Sequence, residues 1–261
     1  MYDMGTRKQA LALVAQGRSL NSVSKEVGVS RAAIREWQTR IEPAPWIQGG
    51  RATPCVRCAP TPSPPAEAAA YSYLLGLYLG DGCISAGVRS GYFLRIACAN
   101  VYPGLIQACA DAVATLNPSG KVYRVQAVGC VSVVGYSQHW PCLFPQHGPG
   151  KKHDRKITLA PWQREIVDAH PWEFVRGLIH SDGCRITNWT TRLVGGERKR
   201  YEYPRYFFTN KSDCIRELYT DTLDRLGVTW THCTRHGNPY NISVARKPDV
   251  ALMDAHIGPK Y

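Results

Sequence analysis

The chain has 261 residues, 44% hydrophobic and 20% charged, which is enough apolar content for a sizeable core and excludes a disordered chain. Lysine and arginine (32) outnumber aspartate and glutamate (20), so the net charge of +12 favours a polyanionic partner. No apolar run approaches the roughly 18 residues that span a bilayer, which excludes a helical membrane anchor and leaves nucleic acid as the favoured partner.

Residues 1–42 are predicted to form short helices, and their second half has the spacing of a helix-turn-helix. Gly28 supplies the turn, Val29 fills the corner, and Ser19 and Ser30 are placed to cap the two helices. The side chains predicted to face base edges and phosphates are Ser30, Arg31, Ala33, Arg35 and Gln38. The alternative is a small helical hairpin that does not contact DNA.

Residues 43–70 are predicted to be a linker, because prolines are frequent up to residue 66 and few of them fit a helix or a central strand. Cys55 and Cys58 form a CxxC pair within it. Structural zinc needs four ligands, and neither a second CxxC nor scattered histidines such as His139 offer a ligand spacing. The sequence therefore disfavours zinc at Cys55 and Cys58.

An internal repeat dominates the rest of the chain: LLGLYLGDGCIS (74–85) matches VRGLIHSDGCRI (175–186). The matching positions are Gly76 with Gly177, Leu77 with Leu178, Asp81 with Asp182, Gly82 with Gly183, and Cys83 with Cys184. After each copy come a strand-like run ending in asparagine, an amphipathic helix and a second strand pair. The sequence thus predicts an α+β fold with two αββαββα repeats, residues 71–168 and 169–261, related by a pseudo-two-fold axis within one monomer.

The matched residues predict an acidic site between two helices. Gly76 and Gly177 let two helices approach closely, and glycines at 82 and 183 suit a left-handed residue that ends a helix. Asp81 and Asp182 then lie at helix C-termini, where the helix dipole and mutual repulsion disfavour carboxylates unless a cation joins them. Mg²⁺ is the natural partner of carboxylate and carbonyl oxygens. One GDG segment alone would be an ordinary turn, but two copies favour a functional site.

The segments LLGLYLGDG and FVRGLIHSDG resemble the two signature helices of single-chain LAGLIDADG homing endonucleases. The resemblance covers residue 71 to the C-terminus. It implies signature helices at the interface of two repeats, each contributing a curved antiparallel sheet to the DNA major groove. It also implies that Asp81 and Asp182, with the carbonyls of Gly80 and Ser181, bind two or more Mg²⁺ ions. Residues Asn100 and Asn210 would position solvent near the metals.

Family members also keep a basic residue near each scissile phosphate. The candidates in this sequence are Lys156, next to Arg155, and Lys211 or Lys247, although each is as readily a general phosphate contact. The basic segment GPGKKHDRK (148–156) is predicted to be a DNA-contacting loop. Further predicted DNA contacts are Lys151, Lys152, Arg155, Arg246 and Lys247.

Three functions follow from these patterns. The first is sequence-specific, Mg²⁺-dependent hydrolysis of both strands of double-stranded DNA. The second is a DNA-binding regulator that has the fold without cleavage, consistent with the added N-terminal segment, and the third is an RNA maturase. With no signal peptide in sight, we expect a cytoplasmic, nucleoid-associated protein whose ten cysteines are reduced thiols.

Overall fold

The computed structural model describes residues 3–39, 41, 55, 58, 64–87, 91–235, 237–258 and 260–261. Contacts divide the chain into a small unit, residues 1–53 with 148–150, and a large unit, residues 54–147 with 151–261. Most of the predicted linker up to residue 63, and the predicted boundary at residue 42, lie outside the described residues.

The small unit contains three helices: α1 (Met4–Ala15), α2 (Leu20–Val27) and α3 (Arg31–Thr39). Ser19 Oγ accepts a hydrogen bond from Ser22 N, and Ser30 Oγ accepts one from Ala33 N, so both predicted caps are present. Gly28 has the left-handed φ of 68° predicted for the turn. The buried core of this unit consists of Ala10, Val23, Val29, Ile34 and Trp37. DNA binding by these helices stays a prediction.

The large unit contains the two repeats in chain order. The first comprises α4 (Ala68–Asp81), β1 (Gly82–Ala86), β2 (Tyr92–Ala99), α5 (Pro103–Leu116), β3 (Val122–Ala127) and β4 (Cys130–Ser137). Two helices follow, α6 (Trp140–Leu143) and α7 (Pro161–Ala169). The second comprises α8 (Pro171–Asp182), β5 (Gly183–Val194), β6 (Glu197–Thr209), α9 (Asp213–Arg225), β7 (Thr231–Arg235) and β8 (Asn238–Val244), with α10 (Lys247–His256) after it.

Each repeat forms one four-stranded antiparallel sheet, and the two sheets have the same topology. The strand orders are β1-β2-β4-β3 and β5-β6-β8-β7. The α+β class is confirmed, and the order of elements predicted from the repeat recurs in both copies. The buried apolar residues of both repeats merge into one core around α4 and α8. Among the described residues, no helix is long and apolar enough to cross a membrane.

Helices α4 and α8 pack backbone against backbone, as the paired glycines predicted. A Cβ atom added to Gly76 would lie 2.5 Å from the carbonyl oxygen of Phe174 and 2.7 Å from Leu178 N, and one added to Gly177 would lie 2.9 Å from Gly76 Cα. Distances below 3 Å between these atoms are steric clashes, so no other residue fits at either position without moving a backbone. The two helix ends, and the aspartates on them, are therefore held side by side.

The prediction that Gly82 and Gly183 adopt a left-handed conformation is wrong. Gly82 has φ −90° and ψ 151°, and Gly183 has φ −105° and ψ 172°, both extended. Glycine is required here for space instead, because an added Cβ would lie 2.5 Å from Tyr78 Cα in the first repeat and 2.7 Å from Ile179 Cα in the second. In each repeat the chain passes directly from the motif helix into the first strand.

Candidate active site between the two motif helices

Asp81 and Asp182 are the last residues of α4 and α8, which brings the two carboxylates to one place. A Cβ atom added to Gly80, the residue before Asp81, would lie 3.1 Å from Asp182 Oδ2. Asp81 is exposed to solvent, whereas Asp182 is half-buried. The convergence of the acids follows directly from the contact between α4 and α8.

The surroundings of the two acids disfavour their charged forms. Desolvation by the packed helix ends, and then the charge of Asp182, raise the pKa of Asp81 to about 6. Burial also raises the pKa of Asp182, although a hydrogen bond from Asn210 and the positive charge of Lys152 act in the opposite direction. Groups with raised carboxyl pKa values at a cleft are typical of functional sites and of cation sites.

The two predicted asparagines differ in their contacts. Asn210 follows β6, and its Nδ2 donates a 2.6 Å hydrogen bond to Asp182 Oδ2, while its Oδ1 accepts one from Ser212 N. Asn100 follows β2 in the same way and is exposed, but among the described residues its side chain makes no hydrogen bond to Asp81. Only the second repeat thus connects its asparagine to its acid.

Two lysines enter the site, one from each repeat. Lys152 Nζ donates hydrogen bonds to the carbonyls of Gly80 (2.9 Å) and Gly82 (2.8 Å), and also to that of Tyr78. Lys260 Nζ donates a 2.9 Å hydrogen bond to the carbonyl of Ser181. Gly80 and Ser181 are matching residues of the repeat, and each lysine follows the last strand of its own repeat. The lysines are therefore pseudo-equivalent.

The charges of these two ammonium groups act on both acids and favour their ionised forms. Burial lowers the pKa of Lys152 to about 8, with Asp182 and Asp81 opposing that shift. Burial likewise lowers the pKa of Lys260, and Asp81 again opposes the shift. Between about pH 6 and 8, a charged Lys152 therefore faces a charged Asp81. The expectation that a divalent cation joins the acids stays a prediction.

Solved LAGLIDADG proteins have a similar fold. Structures of mesophilic variants of the homing endonuclease I-DmoI match at 18% identity and a TM-score of 0.47, covering 73% of this chain and 96% of that one. LAGLIDADG meganuclease I-AabMI, bound to uncleaved DNA, matches at 12% identity and 0.45, covering 71% and 82%. The N-terminal LAGLIDADG domain of WhiA matches at 12% and 0.46, covering 75% and 86%. No family model and no curated protein sequence matches the chain. The similarity concerns overall arrangement and assigns no activity.

The remaining predicted basic residues lie at different depths. Lys151 and Lys211 line a cleft of about 340 Å³ together with Asp182 and Asn210. Lys156 is exposed and is not among the residues lining that cleft. A position on the cleft is the place where a basic group can reach a substrate held at the acids, so Lys211 is better placed than Lys156.

The other predicted DNA contacts are engaged with protein groups. Arg155 is half-buried and donates to the carbonyl of Gln146 at 2.9 Å. Arg246 donates to Thr229 Oγ1 at 2.8 Å but stays exposed, and Lys247 is an exposed first residue of α10. Lys152 was predicted as a phosphate contact on a loop, and its ammonium instead lies on the carbonyls at the end of α4. Sequence reasoning missed Lys260, because nothing local distinguishes a lysine near the end of a chain.

A long basic hairpin formed by β5 and β6 extends from the second sheet, and the sequence reading missed it. Residues 191–202 are all exposed, so this part of the hairpin has no core on either face. Arg192 lies directly opposite Lys199 in the register, a like-charged pair that destabilises a sheet. Arg200 lies over the exposed Trp189 ring at 4.9 Å. The detectable signal was the Gly195–Gly196 turn between two strand-like runs. A basic, aromatic ribbon of this kind suits an anionic partner.

The donor set between the helices fits a hard divalent cation. Two carboxylates and the carbonyl oxygens of Gly80 and Ser181 are oxygen ligands of the kind that Mg²⁺ prefers. The ammonium groups on those carbonyls show that the site attracts and holds positive charge. A divalent ion that takes the same carbonyl oxygens has to displace the lysines, whose long stems allow the movement.

Proposed function

We propose that the chain is a sequence-specific endonuclease that hydrolyses both strands of double-stranded DNA in a Mg²⁺-dependent reaction. The observation that carries the proposal is the convergence of Asp81 and Asp182 at the ends of two helices held in backbone contact. Two carboxylates at adjoining helix C-termini oppose folding, which favours a function for them over a purely structural role.

The residues of the site have separate roles in this proposal. Asp81 and Asp182, with the carbonyls of Gly80 and Ser181, would hold Mg²⁺, which supplies Lewis acidity and an activated water for attack on phosphorus. Asn210 orients Asp182 through its 2.6 Å hydrogen bond. Positive charge from Lys152 and Lys260 would stabilise the negative charge that the scissile phosphate gains in the transition state.

Binding to DNA draws on charge outside the acidic site. The net charge of +12 and the exposed basic hairpin favour a polyanion. In the small unit, capped α3 leaves Arg31, Arg35 and Gln38 for contacts to bases and phosphates. Because such a helix reads only a few base pairs, the sheets of the two repeats would carry the rest of the specificity.

A second function, DNA-binding regulation without cleavage, is favoured by one specific observation. Lys152 and Lys260 donate hydrogen bonds to the carbonyls of Gly80 and Ser181, which a metal ion would use, and their charges act on the two acids. Positive charge supplied by the protein at these helix ends would reduce the need for a metal ion. Both functions need the same fold and the same DNA surface, and they differ only in whether Mg²⁺ displaces the ammonium groups.

The two functions separate in one experiment. Duplex DNA that the full chain binds is selected from a random pool, and the selected site is incubated with protein and Mg²⁺ or Mn²⁺. We expect cleavage of both strands, a loss of about 100-fold or more in rate for Asp81→Asn and Asp182→Asn, and unchanged binding. Asp221→Asn, on an exposed face of α9, is the matched control and should cleave as the parent does.

Other outcomes of the same experiment support different functions. Tight binding without cleavage by either metal supports the regulator. A preference for structured intron RNA over every duplex DNA supports a maturase. Cleavage that survives both aspartate substitutions would remove the acids from the reaction and overturn the endonuclease proposal.

A further inference from the structure

Three thiols and one imidazole lie close together beside the first repeat, and none of them belongs to the acidic site. They belong to Cys55, Cys58, His139 and Cys142, and their ligand atoms all lie within 4.8 Å of one another. His139 Nδ1 is 3.5 Å from Cys55 Sγ and 3.1 Å from Cys58 Sγ. Donors on a zinc tetrahedron are separated by about 3.6 to 3.8 Å, as bond lengths of about 2.3 Å to sulfur and 2.0 Å to nitrogen require. The 3.5 Å distance from His139 Nδ1 to Cys55 Sγ fits such a site, the 3.1 Å distance to Cys58 Sγ is shorter, and a bound ion would need only small shifts of these side chains.

Each half of the cluster is shaped by local backbone structure. Cys58 N donates a 2.8 Å hydrogen bond to the carbonyl of Cys55, so the CxxC pair lies on one tight turn. Cys142 N donates a 2.9 Å hydrogen bond to the carbonyl of His139, which places these two residues one helical turn apart on the same face of α6. The His139–Cys142 spacing is the second ligand pair that the sequence reading judged absent.

The helix that carries the second pair is fixed to the core. Trp140, between the two ligands, is fully buried, and its Nε1 donates a 3.0 Å hydrogen bond to the carbonyl of Gly135 on β4. Leu143, directly after Cys142, accepts a hydrogen bond from Tyr71 OH of α4 at its carbonyl. His139 and Cys142 are thus presented on a rigid element, which reduces the entropy cost of assembling a metal site.

Burial of the CxxC pair needs an explanation of its own. Cys55 and Cys58 are only 5% and 7% exposed, although they lie in a proline-rich stretch that has few other apolar residues to bury. None of the ten cysteines belongs to a disulfide, so no disulfide accounts for it. A bound metal ion would account for this burial, because it joins the four donors and excludes water from its coordination shell.

We propose that Cys55, Cys58, His139 and Cys142 bind one structural Zn²⁺ ion. Three thiolates and one imidazole are the donor set of closed tetrahedral zinc sites, with no position left for a substrate. The ion would join the middle of the proline-rich stretch to α6 of the first repeat and the residue before it. This site is independent of the proposed endonuclease, since it shares no residue with the acidic site.

Metal analysis of the full chain tests the proposal directly. The protein is purified through a tag without histidines, in the presence of reductant and without chelator, and its zinc is measured by mass spectrometry. We expect about one zinc per chain in the parent and in Cys130→Ser, a matched cysteine on β4, and less than about a fifth of that in Cys58→Ser and Cys142→Ser. His139→Ala should lose the zinc, whereas His139→Cys should keep it as a four-thiolate site.

Cobalt replacement and heating decide the matter even if a variant fails to fold. Co²⁺ in the parent should give the visible absorption of tetrahedral cobalt with thiolate ligands, and a chelator should lower the unfolding temperature of parent and Cys130→Ser alike. A parent with less than about a fifth of a zinc per chain, octahedral cobalt spectra, or a Cys55–Cys58 disulfide in reduced preparations would overturn the proposal.

Discussion

The two repeats share the same features at their mutual interface and differ in the lengths of their first hairpins. Both have the same strand order, a glycine in the middle of the motif helix, an aspartate at its end and a lysine on the carbonyl before that aspartate. They differ in their hairpins, since β1 and β2 have 5 and 8 residues whereas β5 and β6 have 12 and 13. The shared part fixes a symmetric centre, and the variable part gives each half its own surface.

The helices that close the two repeats are also attached by different chemistry. Helix α6 of the first repeat carries two members of the Cys3His cluster. Helix α10 of the second repeat carries Asp254, which accepts hydrogen bonds from Arg185 at 2.6 and 2.7 Å and from Tyr206 OH at 2.7 Å. The Arg185 guanidinium holds the pKa of Asp254 below its ordinary value. The Asp254 ion pair and the proposed zinc site would thus be alternative anchors after the last strand of each repeat.

The largest expected effect is a loss of stability when the central glycine of either motif helix is replaced. Gly76→Ala and Gly177→Ala each place a Cβ against the backbone of the opposite helix, so we expect a loss of at least about 3 kcal/mol in the free energy of unfolding. Chemical denaturation measures it. Gly104→Ala on α5 is the control, because its added Cβ meets only the ring of Tyr261, which is 70% exposed. If only one of the two substitutions lowered the free energy of unfolding, the two glycines would not be equivalent.

The difference between the hairpins predicts an intermediate effect on DNA binding. Arg192→Gln combined with Lys199→Gln removes the like-charged pair of the long hairpin and should weaken binding to duplex DNA by about 10- to 100-fold. The slope of log affinity against log salt should fall by about 2. Stability should not fall, because the pair opposes folding. The control removes two cations from helices, Arg164→Gln with Arg225→Gln, and equal weakening there would show that only net charge matters.

One difference between α4 and α8 at their interface predicts a smaller, pH-dependent effect on the free energy of unfolding. His180 of α8 stands where α4 has Leu79, and its Nδ1 is 2.9 Å from Tyr73 OH. Burial lowers the pKa of His180 to about 4, so the unfolded chain binds a proton that the folded chain does not between about pH 6.5 and 4. This contribution to stability is complete above pH 6.5 and is lost as the pH falls.

Removing His180 should therefore flatten the acid side of the stability curve. Tyr73→Phe with His180→Leu leaves neither polar group unpaired, and we expect it to lose about 1 to 3 kcal/mol less than Tyr73→Phe alone between pH 6.5 and 4.5. Denaturant titrations across that range measure the difference. Parallel curves for the two variants would show that His180 has the same pKa in the folded and the unfolded chain.

Sequence reasoning predicted the repeated part of this molecule well, because repetition reveals order and register. The glycine contact, the asparagine after each second strand and the α+β class all follow from comparing residues 74–85 with 175–186. Side-chain partners that are distant in sequence were missed. Lys260 lies 79 residues after Ser181, and Cys55 lies 84 residues before His139, so no local pattern marks either contact. The roles of the predicted catalytic and DNA-contacting residues remain predictions.

The contact between Gly76 and Gly177 separates two properties that usually change together. The spacing of the acids is set by main-chain atoms of α4 and α8, whereas the exposed strands of the sheets lie outside that contact. Substitutions on the strands can therefore alter the exposed surface of the sheets without moving the carboxylates relative to each other. If the proposed function holds, recognition could change in small steps while the acidic site stays intact.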